Sequence, residues 1–279
     1  MKTLLIPVDF SETSSNAIRY AVEMMKDVEI KRIILLKTLY RSYYEQILPS
    51  ADFVQLSASD IEKERIEVDR QLEELTAKLK GRCSTCVEVE IATSELPLLR
   101  SVVDLIEEKK PDLLILGCDN PNEAEESYIG QLIIPIAKAS RVPVLVIPAQ
   151  VSYARIKTTL IPCDFRKVSR LAVIRGLNSP LAWLHPELVI LNVDRRQEYL
   201  NHEQDHLRSL KPLLEGYTYS IHYASETDIV PGILDFADAE GVQMITALPG
   251  NYSFFATLTH KSTTEALALN ARHPVLILK

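Results

Sequence analysis

A doubly wound α/β protein made of two copies of one unit is the fold class this sequence predicts. Three observations carry the prediction: one line written twice, a second line written twice at another spacing, and short unbroken apolar runs separated by helical stripes. "KTLLIPVDF" at Lys2 returns as "KTTLIPCDF" at Lys157, an offset of 155. "PVLVIP" at Pro143 returns as "PVLILK" at Pro274, an offset of 131. Between them, "TSELPLLRSVVDLIEEKKPDLLILG" from Thr93 lies over "ASETDIVPGILDFADAEGVQMITAL" from Ala224, again at 131. A repeat on this scale makes the unit, not the chain, the object to be folded. Copy two is shorter by the difference of the offsets, 24 residues. The loss lies after the second strand of each copy, because "RIILLK" and "ELVILN" still keep the longer offset. The expected division is 1–148, a linker over 149–156, and 157–279.

The runs "TLLIPV", "RIILL", "DLLILG" and "VPVLVIP" show no alternation, as strands buried on both faces of a parallel sheet require. Helical stripes fall between them. In "SSNAIRYAVEMM" the stripe is Ala17, Ile18, Ala21, Val22 and Met25. In "LPLLRSVVDLIEEKK" it is Leu98, Leu99, Val102, Val103 and Ile106. Strands alternating with helices give a sheet with helices on both faces. The extra residues of copy one hold "SASDIEKERIEVDRQLEELTAKLKG". There Ser59 and Glu62 form a capping box, Gly81 a C-terminal stop, and Ile61, Val68, Leu72, Leu75 and Leu79 a narrow seam. This predicts a helix of about five turns packed on its own sheet.

Composition excludes several classes. The hydrophobic fraction of 47% and charged fraction of 25% are those of a globular protein. No apolar run approaches the ~20 residues of a membrane span, and no signal sequence precedes "LLIPV", so cytoplasm is the expected location. Cys83, Cys86, Cys118 and Cys163 fit reduced thiols. Residues 1–150 carry 25 acids and 18 bases, hence −7, and the remainder 13 of each. Neither half has the basic balance of a nucleic-acid-binding domain. The copies have diverged electrically while keeping their apolar frame.

An early "IPVDFS" strand end, a unit of about 140 residues, "DLLILG" followed by a loop, and a closing "PVLVIP" together resemble the universal stress protein family in its tandem form. The resemblance covers the chain twice. It implies two tandem five-stranded parallel α/β sandwich domains of the adenine-nucleotide alpha-hydrolase type. It also implies last strands that pair antiparallel, normally between subunits and in a tandem chain between the copies, giving an intramolecular pseudo-dimer. Some members of the family bind ATP and others do not.

Ligands of open α/β sheets lie beyond the carboxyl ends of the strands, where Asp9 and Asp164 stand. The family's phosphate loop is Gly, two residues, Gly, nine residues, Gly, then Ser or Thr. Glycines let backbone approach a phosphate, and a helix N-terminus supplies free N–H groups. In copy one that frame falls on Gly117, Asn120, Gly130 and Gln131, two of them departures from the pattern. Asp119, Glu123, Glu125 and Glu126 crowd the same loop. A carboxylate ~7 Å from a phosphate charge costs on the order of 2 kcal/mol at an effective dielectric near 20. Pro135, which suits a first turn, would start the helix nearer Ile134 and leave Gly130 outside it. An adenine nucleotide such as ATP in copy one is therefore expected to bind weakly or not at all. In copy two the frame falls on Leu248, Asn251, Lys261 and Ser262, with every glycine lost. Ser262 and Glu265 form a capping box, and Lys261 with Ser262 and Asp164 marks an anion site to set against a plain helix cap. Tyr252, Phe254 and Phe255 fill this loop and are expected to plug the cleft or meet a partner.

"HEQDH" matches H-E-x-x-H through His202, Glu203 and His206, the pattern of a zinc hydrolase helix. Its surroundings are polar, Pro212 limits the helix, and no third ligand is evident. "CSTC" at Cys83 and Cys86 has metal-pair spacing without a second pair. Tyr40, Tyr43 and Tyr44 follow strand two, where packing and a cleft mouth are equal alternatives. No catalytic residues and no metal site are therefore assigned. The leading expectation is a non-enzymatic stress-response or regulatory protein acting through dimerisation and the binding of a ligand or protein partner. The alternatives are an ATP-holding switch in copy one and a hydrolase of bound nucleotide or of the His202–His206 motif.

Overall fold

The structure, a computed structural model, describes residues 2–40, 58–82, 87–119, 128–176, 179–193, 208, 210–226, 228–248, 267–268 and 272–279. In copy one the order is β1 (Lys2–Pro7), α1 (Glu12–Met24), β2 (Ile30–Thr38), α2 (Ala58–Arg82), β3 (Glu88–Ser94), α3 (Leu98–Lys109), β4 (Leu113–Cys118), α4 (Tyr128–Ala139) and β5 (Val144–Pro148). Copy two follows with β6 (Thr158–Pro162), a 3₁₀ helix (Phe165–Arg175), α5 (Leu181–Leu184), β7 (Glu187–Val193), β8 (Tyr219–Ala224), α6 (Ile229–Glu240), β9 (Met244–Ala247) and β10 (Val275–Ile277). The strands form one ten-stranded sheet in the order β3-β2-β1-β4-β5-β10-β9-β6-β7-β8. Each half repeats the same five-stranded order, and the second is reversed about the centre. At that centre β5 and β10 pair antiparallel, Val144 opposite Ile277, Leu145 opposite Leu276 and Val146 opposite Val275. The other neighbour pairs are parallel.

The unbroken apolar runs are buried on both faces. Leu4 and Ile6 face one core with α1 and α2, while Leu5, Ile34 and Leu36 face the other with α3 and α4. Both cores continue into copy two without a break. The stripe of α1 is shifted from the expected one: Tyr20 and Met24 are buried, and Val22 and Met25 only partly. Tyr20 meets Tyr153 edge to face at 5.1 Å, a contact outside its own helix that periodicity does not record.

The inserted helix α2 packs on its own sheet through Val68, Leu72 and Leu79. It is longer than expected, and Ser59 and Gly81 lie inside it. One interior glycine costs about 1 kcal/mol, which the buried seam upstream offsets, while Lys80 and Arg82 suit the negative helix end. Pro135 also lies inside its helix, since α4 runs from Tyr128 to Ala139. The expected late start at Ile134 is therefore corrected. The apolar faces of Ile129, Ile133 and Ile136 are all buried, and they hold the helix together across the hydrogen bond that proline cannot donate.

In copy two the first helix is 3₁₀. Ser11, which caps α1 by accepting from the Ser14 N–H at 3.1 Å, has Arg166 as its counterpart. The segment also carries β-branched Ile174 where α1 has Arg19. A lost cap and an added β-branched residue both disfavour the α form.

Candidate functional site

The carboxyl ends of the two half-sheets hold the same framework and different chemistry. In copy one the Val8 N–H donates to the Leu36 carbonyl at 2.8 Å, extending β1 beside β2. Asp9 follows, close enough to Lys37 for its charge to act on the ammonium. One Asp9 oxygen accepts from both the N–H and the hydroxyl of Ser11, at 3.0 and 2.5 Å. Phe10, between them, has a φ of 66°, a left-handed conformation that a bulky side chain adopts only under constraint. The Lys37 ammonium lies 4.7 Å from the centre of the Phe10 ring. Burial pulls the Lys37 amine below its ordinary value, with Asp9 and Glu64 acting in the opposite direction.

Gly117 sits inside β4, and its bare Cα faces the first turn of α1. A Cβ there would stand 2.5 Å from the Thr13 carbonyl oxygen. The glycine thus serves helix-on-strand packing, a reason that the loop pattern alone does not reveal. The Thr13 hydroxyl donates to the carboxylate of Asp119, so an acid already occupies the space over the α1 N-terminus. Gly130 lies in the first turn of α4, and Gln131 beside it is exposed. Asn120 lies outside the described residues, as do Glu123, Glu125 and Glu126. Tyr40 is exposed, and Tyr43 and Tyr44 are outside the described residues.

In copy two the Cys163 N–H donates to Leu191 at 2.8 Å, the counterpart of the Val8 bond. Asp164 is buried. The position matching Lys37 is Asn192, also buried, whose amide donates to the Cys163 carbonyl at 3.0 Å. Its Oδ1 meets no donor among the described residues. Burial pushes the Cys163 thiol up to about 12, so it stays protonated and inert at neutral pH. Phe165 meets Tyr223 edge to face at 5.5 Å. Leu248, in place of Gly117, is half-buried against the core. Its bulk is incompatible with the close helix approach seen in copy one. Asn251, Tyr252, Phe254, Phe255, Lys261 and Ser262 lie outside the described residues, as do His202, Glu203, His206, Cys83 and Cys86. Among the described residues no group of acids, histidines and cysteines is placed to hold a metal.

The amino ends, by contrast, match position for position. Asp112 accepts from the Thr3 N–H at 2.8 Å, and Gln243 accepts from the Thr158 N–H at 2.9 Å. Arg141 pairs with Glu107 at 3.2 Å, and Arg272 with Asp238 at 3.6 Å. The open hollow between α3 and β5 is lined by these same packing groups of copy one.

Two five-stranded halves joined through their last strands define a tandem α/β protein. A model of the universal stress protein family matches residues 1–148, and the chain belongs to that family. No curated protein matches it in sequence. Among solved structures, it is similar to a universal stress protein from Archaeoglobus fulgidus DSM 4304. The TM-score is 0.71 and the identity 18%, over 99% of this chain and 98% of that one. A functionally unknown protein from Pseudomonas aeruginosa PAO1 aligns at a TM-score of 0.59 and 12% identity, over 100% of this chain and 92% of that one. At such identities the likeness is one of fold. No helix among the described residues is long and apolar enough to cross a membrane.

Proposed function

We propose that this chain is a non-enzymatic regulatory protein of the stress response, cytoplasmic, and active as a single-chain pseudo-dimer of residues 1–148 and 157–279. Copy one takes the ligand or partner, and copy two serves as its structural partner. One observation carries this reading: the amino ends of the copies keep the same clamps, while at the carboxyl ends Asp9 and Phe10 recur as Asp164 and Phe165 but Lys37 and Gly117 are exchanged. Asn192 stands where copy one has Lys37, and Leu248 where it has Gly117. Exchange of ligand-end groups on a retained sheet frame is what selection on binding produces.

Adenine nucleotide is a weak ligand on this reading. Gly117 is occupied by α1, and Asp119 stands over its first turn. Titration of the full chain with Mg–ATP is expected to give an affinity no tighter than about 100 µM, well short of the −8.2 kcal/mol of a micromolar site. Replacing Glu123, Glu125 and Glu126 by Gln should tighten it. Nucleotide retained stoichiometrically through purification, identified by mass spectrometry of the released ligand, would overturn the weak-nucleotide reading and favour the ATP-holding switch. Steady turnover of ATP would overturn the non-enzymatic one.

A further inference from the structure

Three features of the copy-one carboxyl end occur together there and are all missing from copy two. The first is a half-buried ammonium, Lys37, at the end of β2, against Asn192 in copy two. The second is the left-handed backbone of Phe10, whose ring lies under that ammonium; Phe165 is not among the positive-φ residues. The third is α2, the inserted helix, which brings Glu64 close enough to Lys37 to act on its charge. Among the described residues no carboxylate forms an ion pair with Lys37, whose ammonium rests on the Phe10 ring, so its charge is incompletely compensated. A half-buried cation in that state gains from one more negative group.

We propose that Lys37 is the specificity-determining residue of copy one: it pairs with the anionic group of a small ligand, phosphate or carboxylate, which adds a direct partner to the ammonium above Phe10. This rests on the reading that copy one's carboxyl end is the ligand site. The anion is held by a side-chain charge on β2, rather than by glycine-loop amides. Copy two cannot do the same, because the Asn192 amide is neutral and already donates to Cys163. The acids Asp9 and Asp119 limit the charge that can enter, which favours a compact anion over a triphosphate.

The test uses the full chain, titrated calorimetrically with inorganic pyrophosphate and separately with succinate to distinguish the two anion sources. Lys37→Asn, which installs the copy-two residue, should weaken the preferred anion at least about tenfold, while Lys37→Arg stays within about threefold. Glu64→Gln should tighten binding several-fold by removing the competing acid. Backbone amide exchange with and without the anion locates the site. Protection around Asp9–Ser14 and Lys37 that Lys37→Asn leaves intact would overturn the role of Lys37 and spare the reading of the cleft. Protection confined to another surface, or no binding of either anion, would overturn both. Should Lys37→Asn fail to fold, Glu64→Gln decides: an unchanged or weaker affinity rejects the proposal.

Discussion

Lys110 closes α3 in the left-handed region, at φ 49°, where copy two closes α6 with Gly241 at φ 60°. A lysine there carries strain that glycine does not. Lys110→Gly is therefore expected to stabilise the protein by about 1 kcal/mol, read as a higher urea midpoint at unchanged slope. Gly117→Ala should act in the opposite direction. Its new methyl meets the Thr13 backbone, which cannot step aside as a flexible side chain would, and a loss of about 2–3 kcal/mol is expected. Stability unchanged by the alanine would show that α1 does not rest on this residue. Asp9 and Gly117 are legible as candidates because they end apolar runs that the chain writes twice. The use of Gly117 was not legible, because Thr13 touches it only after two strands have paired. Lys37 was not legible either: it reads as one charge at the end of a strand until Phe10 and Glu64 are brought to it.

At the scale of the element, α2 separates what periodicity records from what it omits. Its seam was visible in the spacing, and Leu72 at the middle is 1% exposed while Ile61 at the start is 47% exposed. The seam is continuous in sequence, but the first turns stand near the carboxyl end of β2, where the sheet beneath them ends. Leu72→Ala should therefore cost about 3 kcal/mol, while Ile61→Ser should stay within about 0.5 kcal/mol, both by denaturant unfolding. Equal costs would mean that the first turns are packed as firmly as the middle. The same limit explains Pro135 and Gly81. Each was read as an end of a helix on local grounds, and in each case burial of a neighbouring apolar face carries the helix through. The 3₁₀ segment of copy two is the converse case, where the lost cap was readable in Arg166 and the consequence for helix type was not.

For the whole molecule, two devices join the halves: the β5–β10 ladder and the connecting segment over 149–156. That segment lies along α1. The buried Asn16 amide donates to the carbonyls of Pro148 and Val151, both at 3.0 Å. Tyr153 donates to Asp27 at 2.7 Å, and Arg155 lies 3.5 Å from the same carboxylate. Across the join, the Lys2 ammonium stands 4.1 Å from the ring centre of Trp183, the chain's single tryptophan. Trp183 fluorescence therefore reports on the junction, and far-UV circular dichroism on the sheet as a whole. Asn16→Ala should cost about 2 kcal/mol by removing the donor to the Val151 carbonyl and leaving the Pro148 carbonyl only the Val151 N–H, with the two signals moving together. A fluorescence transition that precedes the loss of secondary structure would show that the halves come apart before they unfold. The tandem architecture was legible from two offsets, because a repeat needs no knowledge of contacts. The strap was not, since Asn16 and Tyr153 belong to no periodic pattern.

The β5–β10 ladder has a consequence for the company this protein keeps. An edge strand that elsewhere would be open to any compatible protomer is here matched to one that never leaves, held by a short tether that raises its local concentration to the millimolar range. Each half is thereby insulated from exchange. Dilution should not separate the pair, and a melting temperature independent of protein concentration would verify it. Mixed assemblies with other single-unit relatives are closed off at this edge. A mutation in one half is also never averaged with its own mirror image. Fusion thus turns a symmetric partnership into a fixed left and right, and it frees the two carboxyl ends to diverge.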